Sequence, residues 1–273
     1  LPIFPTPNKN LDKTAMTGRI LVSREGDIAT VTLANPDKLN AVNYAMWCDL
    51  AETMARLSAD ESLRCVVIRG EGEAFAAGGD IEEFLVKRSN LEQALHYHEK
   101  VGAALDAVRD CRHPTVALIR GACIGGGLEI AGNCDLRIAG EGAKFGAPIN
   151  KLGFSMYPGE MSGLLALAGP AVMSEILLEG RILGAAEAFA KGLLTRVVAD
   201  VQLEDEVSAT ARRIAAGAPL VARWHKQWMR RLASGAPLTQ EEKAASFAFL
   251  DTADYQEGLD AFLSKRKPAF KAC

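Results

Sequence analysis

The chain has 273 residues, enough for one large domain or a domain with an appendage. Its hydrophobic content of 49% with 24% charged residues is ordinary for a globular protein, and a net charge of −3 gives no electrostatic footprint for nucleic acid. No uninterrupted apolar run approaches membrane-spanning length, the start lacks the charged-then-apolar order of a secretion signal, and the six cysteines include no Cys-x-x-Cys pair. Free thiols in a cytoplasmic or organelle-matrix protein are therefore expected, with neither nucleic acid nor membrane as a partner.

Residues 1–17 contain three prolines and little periodicity, which predicts an extended lead-in, in part a cloning remnant, with no assigned function. Ile20 to Ser23 and Ile28 to Leu33 flank Arg24-Glu25-Gly26-Asp27 and read as a hairpin. Asn35-Pro36 breaks the second strand, Asn43 caps a helix, and Trp47, Leu50, Met54 and Leu57 give that helix a core face. Cys65 to Gly70 is a short buried strand, and Ala76-Ala77-Gly78-Gly79-Asp80-Ile81 follows it as a glycine turn into a helix. Asp80 caps that helix, and Glu82 and Glu83 are expected to face solvent from its first turn. Leu91, Leu95, Val101, Leu105 and Val108 mark a long amphipathic helix. His96 and His98 are two apart on it and point different ways, so they make a poor metal site and are expected on a solvated face. No metal site is expected.

His113, just before Pro114, is placed under the sheet in a structural role. Thr115 to Ile119 reads as a buried strand that leads through Arg120-Gly121-Ala122-Cys123 into Gly125-Gly126-Gly127-Leu128-Glu129. A strand-to-helix corner of this kind presents backbone N–H groups to a cleft, reinforced by the positive end of the following helix. Glu129 would project from the same face as the Gly126 amide. Alone, the triple glycine is equally served by close packing. The glycine turn at 77–79 repeats the layout, however, and two N–H groups converging on one oxygen stabilise a developing oxyanion.

Asp135 to Ala139 is again strand-like, so the chain reads as an α/β core. Gly169-Pro170 opens a helix closed near Gly180, and the remainder is mostly helical. Thr239 and Glu242 have the form of a capping box, and Pro268 stops the last helix, which bears Leu259, Phe262 and Leu263. The expected division is 1–17, a core over 18–195, and a helical region over 196–273.

Taken together, Asn35-Pro36 with Leu39-Asn40-Ala41, Phe75 to Ile81, Gly125 to Glu129 and Ala261 to Lys267 resemble the enoyl-CoA hydratase/isomerase family, the crotonase superfamily, over roughly residues 18–271. The resemblance implies an α/β, crotonase-like spiral of ββα repeats with a C-terminal helical trimerisation region, assembled as a homotrimer or a dimer of trimers. It implies an acyl-CoA thioester held with its carbonyl oxygen between the Gly79 and Gly126 N–H groups, Glu129 as a catalytic carboxylate, and no cofactor beyond the coenzyme A of the substrate. It also implies substrate contacts from Ala41, Ala77, Asp80, Ile81, Ile149 and Tyr157, with Phe262 and Lys265 reaching coenzyme A on a neighbouring subunit.

One position departs from the pattern. Hydratases of this family carry a second glutamate after Phe-Gly-x-Pro, but Phe145-Gly146-Ala147-Pro148 is followed here by Ile149. An isoleucine moves no proton and dries the pocket wall, which should raise the pKa of a nearby carboxylate. Four readings follow: a hydratase-like lyase in which Glu160 replaces the missing acid; an isomerase using Glu129 alone; a decarboxylase or thioester hydrolase; or a non-catalytic acyl-CoA-binding protein. Glu160 otherwise reads as a surface residue at a helix start, and Tyr157 as a hydrogen-bond donor or a pocket wall. The hydratase-like lyase, with Glu129 as general base, is the reading carried forward.

Overall fold

The computed structural model describes residues 18–273, so the lead-in expected over 1–17 lies outside the described residues. In chain order the elements are β1 (Arg19–Glu25), β2 (Ile28–Ala34), α1 (Tyr44–Ala59), β3 (Cys65–Gly70), α2 (Ile81–Lys87), α3 (Leu91–Asp110), β4 (Thr115–Ile119), β5 (Ala122–Ile124) and α4 (Gly126–Gly132). They continue as β6 (Leu136–Gly140), β7 (Lys144–Gly146), α5 (Pro158–Leu177), β8 (Ile182–Gly184), α6 (Ala185–Ala190), β9 (Arg196–Val198), α7 (Leu203–Ala215), α8 (Pro219–Ala233), α9 (Gln240–Ala245) and α10 (Ala253–Leu263).

Six strands form the main sheet in the order β1-β2-β3-β4-β6-β9, parallel throughout except for the β1–β2 hairpin. The strand period of two explains its two buried faces. Val66 and Ile68 of β3, with Ala117 and Ile119 of β4, point into the large core shared with α1 and α3. Cys65 and Val67, with Val116 and Leu118, point the other way onto Leu203, Val207 and Ala211 of α7. A second sheet, β5-β7-β8, grows from the ends of the first: β4 continues into β5 and β6 into β7, giving repeated strand–strand–helix units. The edge strand β9 lies just past residue 195, so the helical region begins with α7, itself packed on the sheet.

The caps read from sequence form as bonds. Asn43 Oδ1 accepts from Met46 N at 2.9 Å, Asp80 Oδ1 from Glu82 N at 3.2 Å, and Thr239 and Glu242 complete a capping box. Three expectations are corrected. Leu91 and Leu95 are exposed, because the inward stripe of α3 is set by Tyr97, Val101, Ala104, Leu105 and Val108. The helix expected to open at Gly169-Pro170 is the second half of α5, which starts at Pro158 and is interrupted at Gly169, where φ is 72°. Pro268 does not itself stop α10, which ends at Leu263 with Lys265 in the left-handed region. α5 is also long and apolar enough to cross a membrane by composition, with mean hydropathy 1.2, but it is broken at Gly169 and packs on α4.

The C-terminal helices are tied to the foot of the sheet by a buried cation. Lys226 of α8 is 3% exposed, donates to the His113 carbonyl at 3.0 Å and pairs with Asp135 at 2.6 Å, while Asp135 also accepts from Thr115 N and Oγ1. His113 is fully buried, as expected, and burial holds its imidazole down at about 4. Removing one partner of a buried ion pair leaves the other uncompensated. Lys226→Ala is therefore expected to lower the unfolding free energy by roughly 3 kcal/mol in urea titration, and adding Asp135→Asn should cost under about 1 kcal/mol more.

Candidate active site

Two glycine turns are stitched side by side by main-chain bonds. Ala76 N donates to Ala122 O at 2.9 Å and Ile124 N to Ala76 O at 2.9 Å, so the segment before Gly78 pairs with β5 before Gly126. The contact leaves no space for a side chain at Gly127, where a Cβ would lie 2.4 Å from the Ala76 carbonyl oxygen. Gly78 (φ 116°) and Gly125 (φ 50°) hold backbone conformations that favour glycine. The neighbouring pairing of Val42 with this turn uses Gly78 O and Asp80 N and skips Gly79. Gly126 is the first residue of α4, where no intrahelical acceptor exists. Among the described residues neither the Gly79 nor the Gly126 N–H has an acceptor, and both line one cavity of about 200 Å³.

Two carboxylates enter that cavity, Glu129 from the first turn of α4 and Glu160 from the first turn of α5, each 6% exposed. Burial pushes the Glu129 carboxyl up to about 8, and the charge of Glu160 adds to the shift. Ile149 and Met156 supply apolar wall on the same side, which is the drying expected at that position. Glu160 Oε1 is hydrogen-bonded to Nδ1 of His98, whose side chain is 13% exposed. The imidazole stacks on Tyr157 with centroids 5.0 Å apart and planes at 25°. With the hydrogen on Nδ1 the ring donates to Glu160, fixing that carboxylate while leaving its other oxygen to the cavity.

His98 is what the sequence reading missed. The two-residue separation from His96 predicts a solvated face, but His98 lies three residues before Val101 and seven before Leu105, and the spacing of those two residues turns it inward. Glu160, read also as a surface residue, is buried. Glu83 is a further correction: its carboxylate accepts from Tyr44 N at 2.6 Å at the start of α1, whereas Glu82 remains exposed and pairs with Lys38. Ala77, Ile81 and Ile149 line the cavity with the two glycines and two glutamates. Asp80 and Ala41 are buried beside it without lining it, and the Asp80 carboxylate is engaged by the α2 cap and by Lys38 at 2.7 Å. Tyr157 reaches the site through His98. Phe262, 82% exposed, and Lys265 are not brought to this cavity within one chain.

The family model described as Enoyl-CoA hydratase/isomerase matches residues 23–272. A probable enoyl-CoA hydratase from Rhizobium meliloti is 34% identical over 257 residues, which cover 92% of this chain and 97% of that protein. A 2,3-dehydroadipyl-CoA hydratase from Escherichia coli is 33% identical over 257 residues, covering 92% and 98% respectively. Among solved structures, an enoyl-CoA hydratase/carnithine racemase from Magnetospirillum magneticum is similar with a TM-score of 0.92 at 52% identity, covering 93% of this chain and 96% of that one.

The raised Glu129 value has a stability consequence. Between pH 4.5, the ordinary carboxyl value, and about 8, the native state holds a proton that the unfolded chain has released, so this group's contribution falls as pH rises through that window. Glu129→Gln removes the dependence. In thermal melts the variant is expected to gain on the wild type steadily from pH 5 to pH 8.5; a pH-independent difference would show that burial does not hold the proton there.

Proposed function

The chain belongs to the enoyl-CoA hydratase/isomerase family and is a hydratase-like acyl-CoA enzyme, and from that premise we propose that it adds water to a 2-enoyl-CoA with Glu129 and Glu160 as the two acids. The observation that carries the reading is the burial of both carboxylates in one cavity with the Gly79 and Gly126 N–H groups, which have no acceptor among the described residues. Glu160 enters from α5 and thereby supplies the second carboxylate that Ile149 does not.

In this scheme the two N–H groups polarise the thioester carbonyl. Glu160, held by His98, takes a proton from water as the hydroxide oxygen bonds to the β-carbon, and the π electrons move onto the carbonyl oxygen as an enolate. The enolate then collapses, and the α-carbon takes its proton from Glu129. The sum is one water added across the double bond, with the proton now on Glu160 instead of Glu129. Its return to Glu129 resets the pair. This reverses the general-base assignment expected of Glu129; the support is that Glu129 is the carboxyl whose burial favours the protonated form, while Glu160 accepts a fixed hydrogen bond. His98 is a positioning residue, since it acts through Glu160.

The finer features belong to the same proposal. Phe247, Leu250, Phe262 and Leu263 lie exposed on the C-terminal segments, an apolar surface suited to a homotrimer or dimer of trimers, where Phe262 and Lys265 would meet a neighbour's coenzyme A. Six unpaired thiols fit a cytoplasmic location. The reaction as written uses only water and the thioester.

Loss of enoyl absorbance with crotonyl-CoA and water measures hydration. Glu129→Gln and Glu160→Gln are each expected to lower kcat at least about 100-fold. The two roles separate in deuterium wash-in at the α-carbon of butyryl-CoA at pH 8.5: Glu160→Gln keeps the exchange, Glu129→Gln loses it. His98→Ala should lower kcat about tenfold with KM little changed, and His98→Gln should recover part of the loss. Retention of full hydration by either glutamate variant overturns the scheme.

A further inference from the structure

The cavity wall holds a cation that the hydration scheme does not use. Arg88 caps the C-terminus of α2 and lines the cavity, half-buried. Its guanidinium carbon lies 4.2 Å from the ring centre of Phe84 and 4.4 Å from that of Phe154, and the two rings meet edge to face at 5.8 Å. Both aromatic contacts engage the guanidinium through the ring faces. The N–H donors of a guanidinium, by contrast, lie in its plane, and among the described residues none of them has a hydrogen-bond or ion-pair partner. The group is thus held against two ring faces whose planes lie 76° apart, while its N–H donors have no hydrogen-bond partner among the described residues.

Its position within the cavity says what that something is. The Phe84 ring is the nearest neighbour of Gly79, 3.4 Å from where a Cβ would stand, so Arg88 lies one aromatic ring beyond the turn that holds the thioester oxygen. On the other side Phe154 continues the apolar wall of Ile149, Leu152 and Met156. The opposite end of α2 begins at Asp80, where Lys38 is neutralised by Asp80 and Glu82, and a helix of seven residues separates the two ends by about 10 Å. The cavity volume of about 200 Å³ equals roughly seven water volumes, which suits a short acyl chain whose far end comes to the aromatic wall.

We propose that Arg88 forms an anion subsite at the acyl end of the cavity, and that the favoured substrate is a short 2-enoyl-CoA whose acyl chain ends in a carboxylate. The planar fork accepts a carboxylate through two parallel N–H bonds, and the covering rings strengthen that pair by excluding water. Burying a neutral methyl terminus there would instead leave the donors unpaired, which discriminates against it. The proposal rests on the reading of this cavity as an acyl-CoA site, but not on the assignment of the catalytic carboxylates.

Binding of saturated, unreactive thioesters tests it independently of turnover. By calorimetry, adipyl-CoA is expected to bind the wild type at least about tenfold more tightly than hexanoyl-CoA, and Arg88→Met should remove that preference while changing hexanoyl-CoA affinity less than about threefold. Arg88→Lys, a charge without the fork, should retain only part of it. The same comparison with pantetheine thioesters, which lack the nucleotide phosphates, is expected to give the same preference. Equal weakening of both acyl-CoAs in Arg88→Met that disappears with the pantetheine thioesters would assign the guanidinium to the coenzyme phosphates and overturn the proposal, as would an unchanged preference. Failure of the hydration assay with the carboxylate preference intact would instead count against the proposed reaction alone.

Discussion

The site exists because residues 74–78 and 122–127 are held as neighbouring strands at close range. The bonds from Ala76 N to Ala122 O and from Ile124 N to Ala76 O fix the register, and the absence of a Cβ at Gly127 lets the Ala76 carbonyl pass over the first turn of α4. That register decides which amides are consumed by pairing and which are left over. Gly79 and Gly126 are left over, and each stands where a helix or turn cannot satisfy it. A one-residue slip would bury a different pair and turn Glu129 away from the cavity.

The same compression governs the electrostatics. Glu129 stands on a helix whose first six residues are all buried, so its charged form is disfavoured, and the apolar Ile149 offers it no hydrogen bond. Glu160 is buried to the same extent but sits in the first turn of α5, with His98 against one oxygen. Two like groups are thus placed in unlike surroundings, one enclosed by buried helix and the other held by an imidazole. Tyr157, at the cap of α5, stacks on His98 and so links the start of that helix to α3.

Features set by local chemistry were legible in the sequence. Glycine turns, the Asn43, Asp80 and Thr239 caps, and the buried strands β3 and β4 depend on a few adjacent residues, and they appear where expected. What sequence alone left open depends on which elements meet. Nothing in the α5 segment shows that its first turn abuts α3, so Glu160 remained ambiguous and His98 was assigned to solvent. Glu83 was misread for a related reason: its acceptor role needs the N-terminus of α1, brought across by the turn at Gly79. The pairing of β9 with β6 was equally hidden, since three residues carry too short a pattern to register as a strand.

The carboxylate pair has a consequence for the direction of catalysis. In the proposed scheme one proton is distributed between Glu129 and Glu160, so completing hydration would leave the pair in the arrangement from which elimination of water begins, and completing elimination would leave it ready for hydration. No third group has to be recharged between opposite runs. The cavity therefore has no built-in preference for making or unmaking the alcohol, and the ratio of the two thioesters around it sets the net flow.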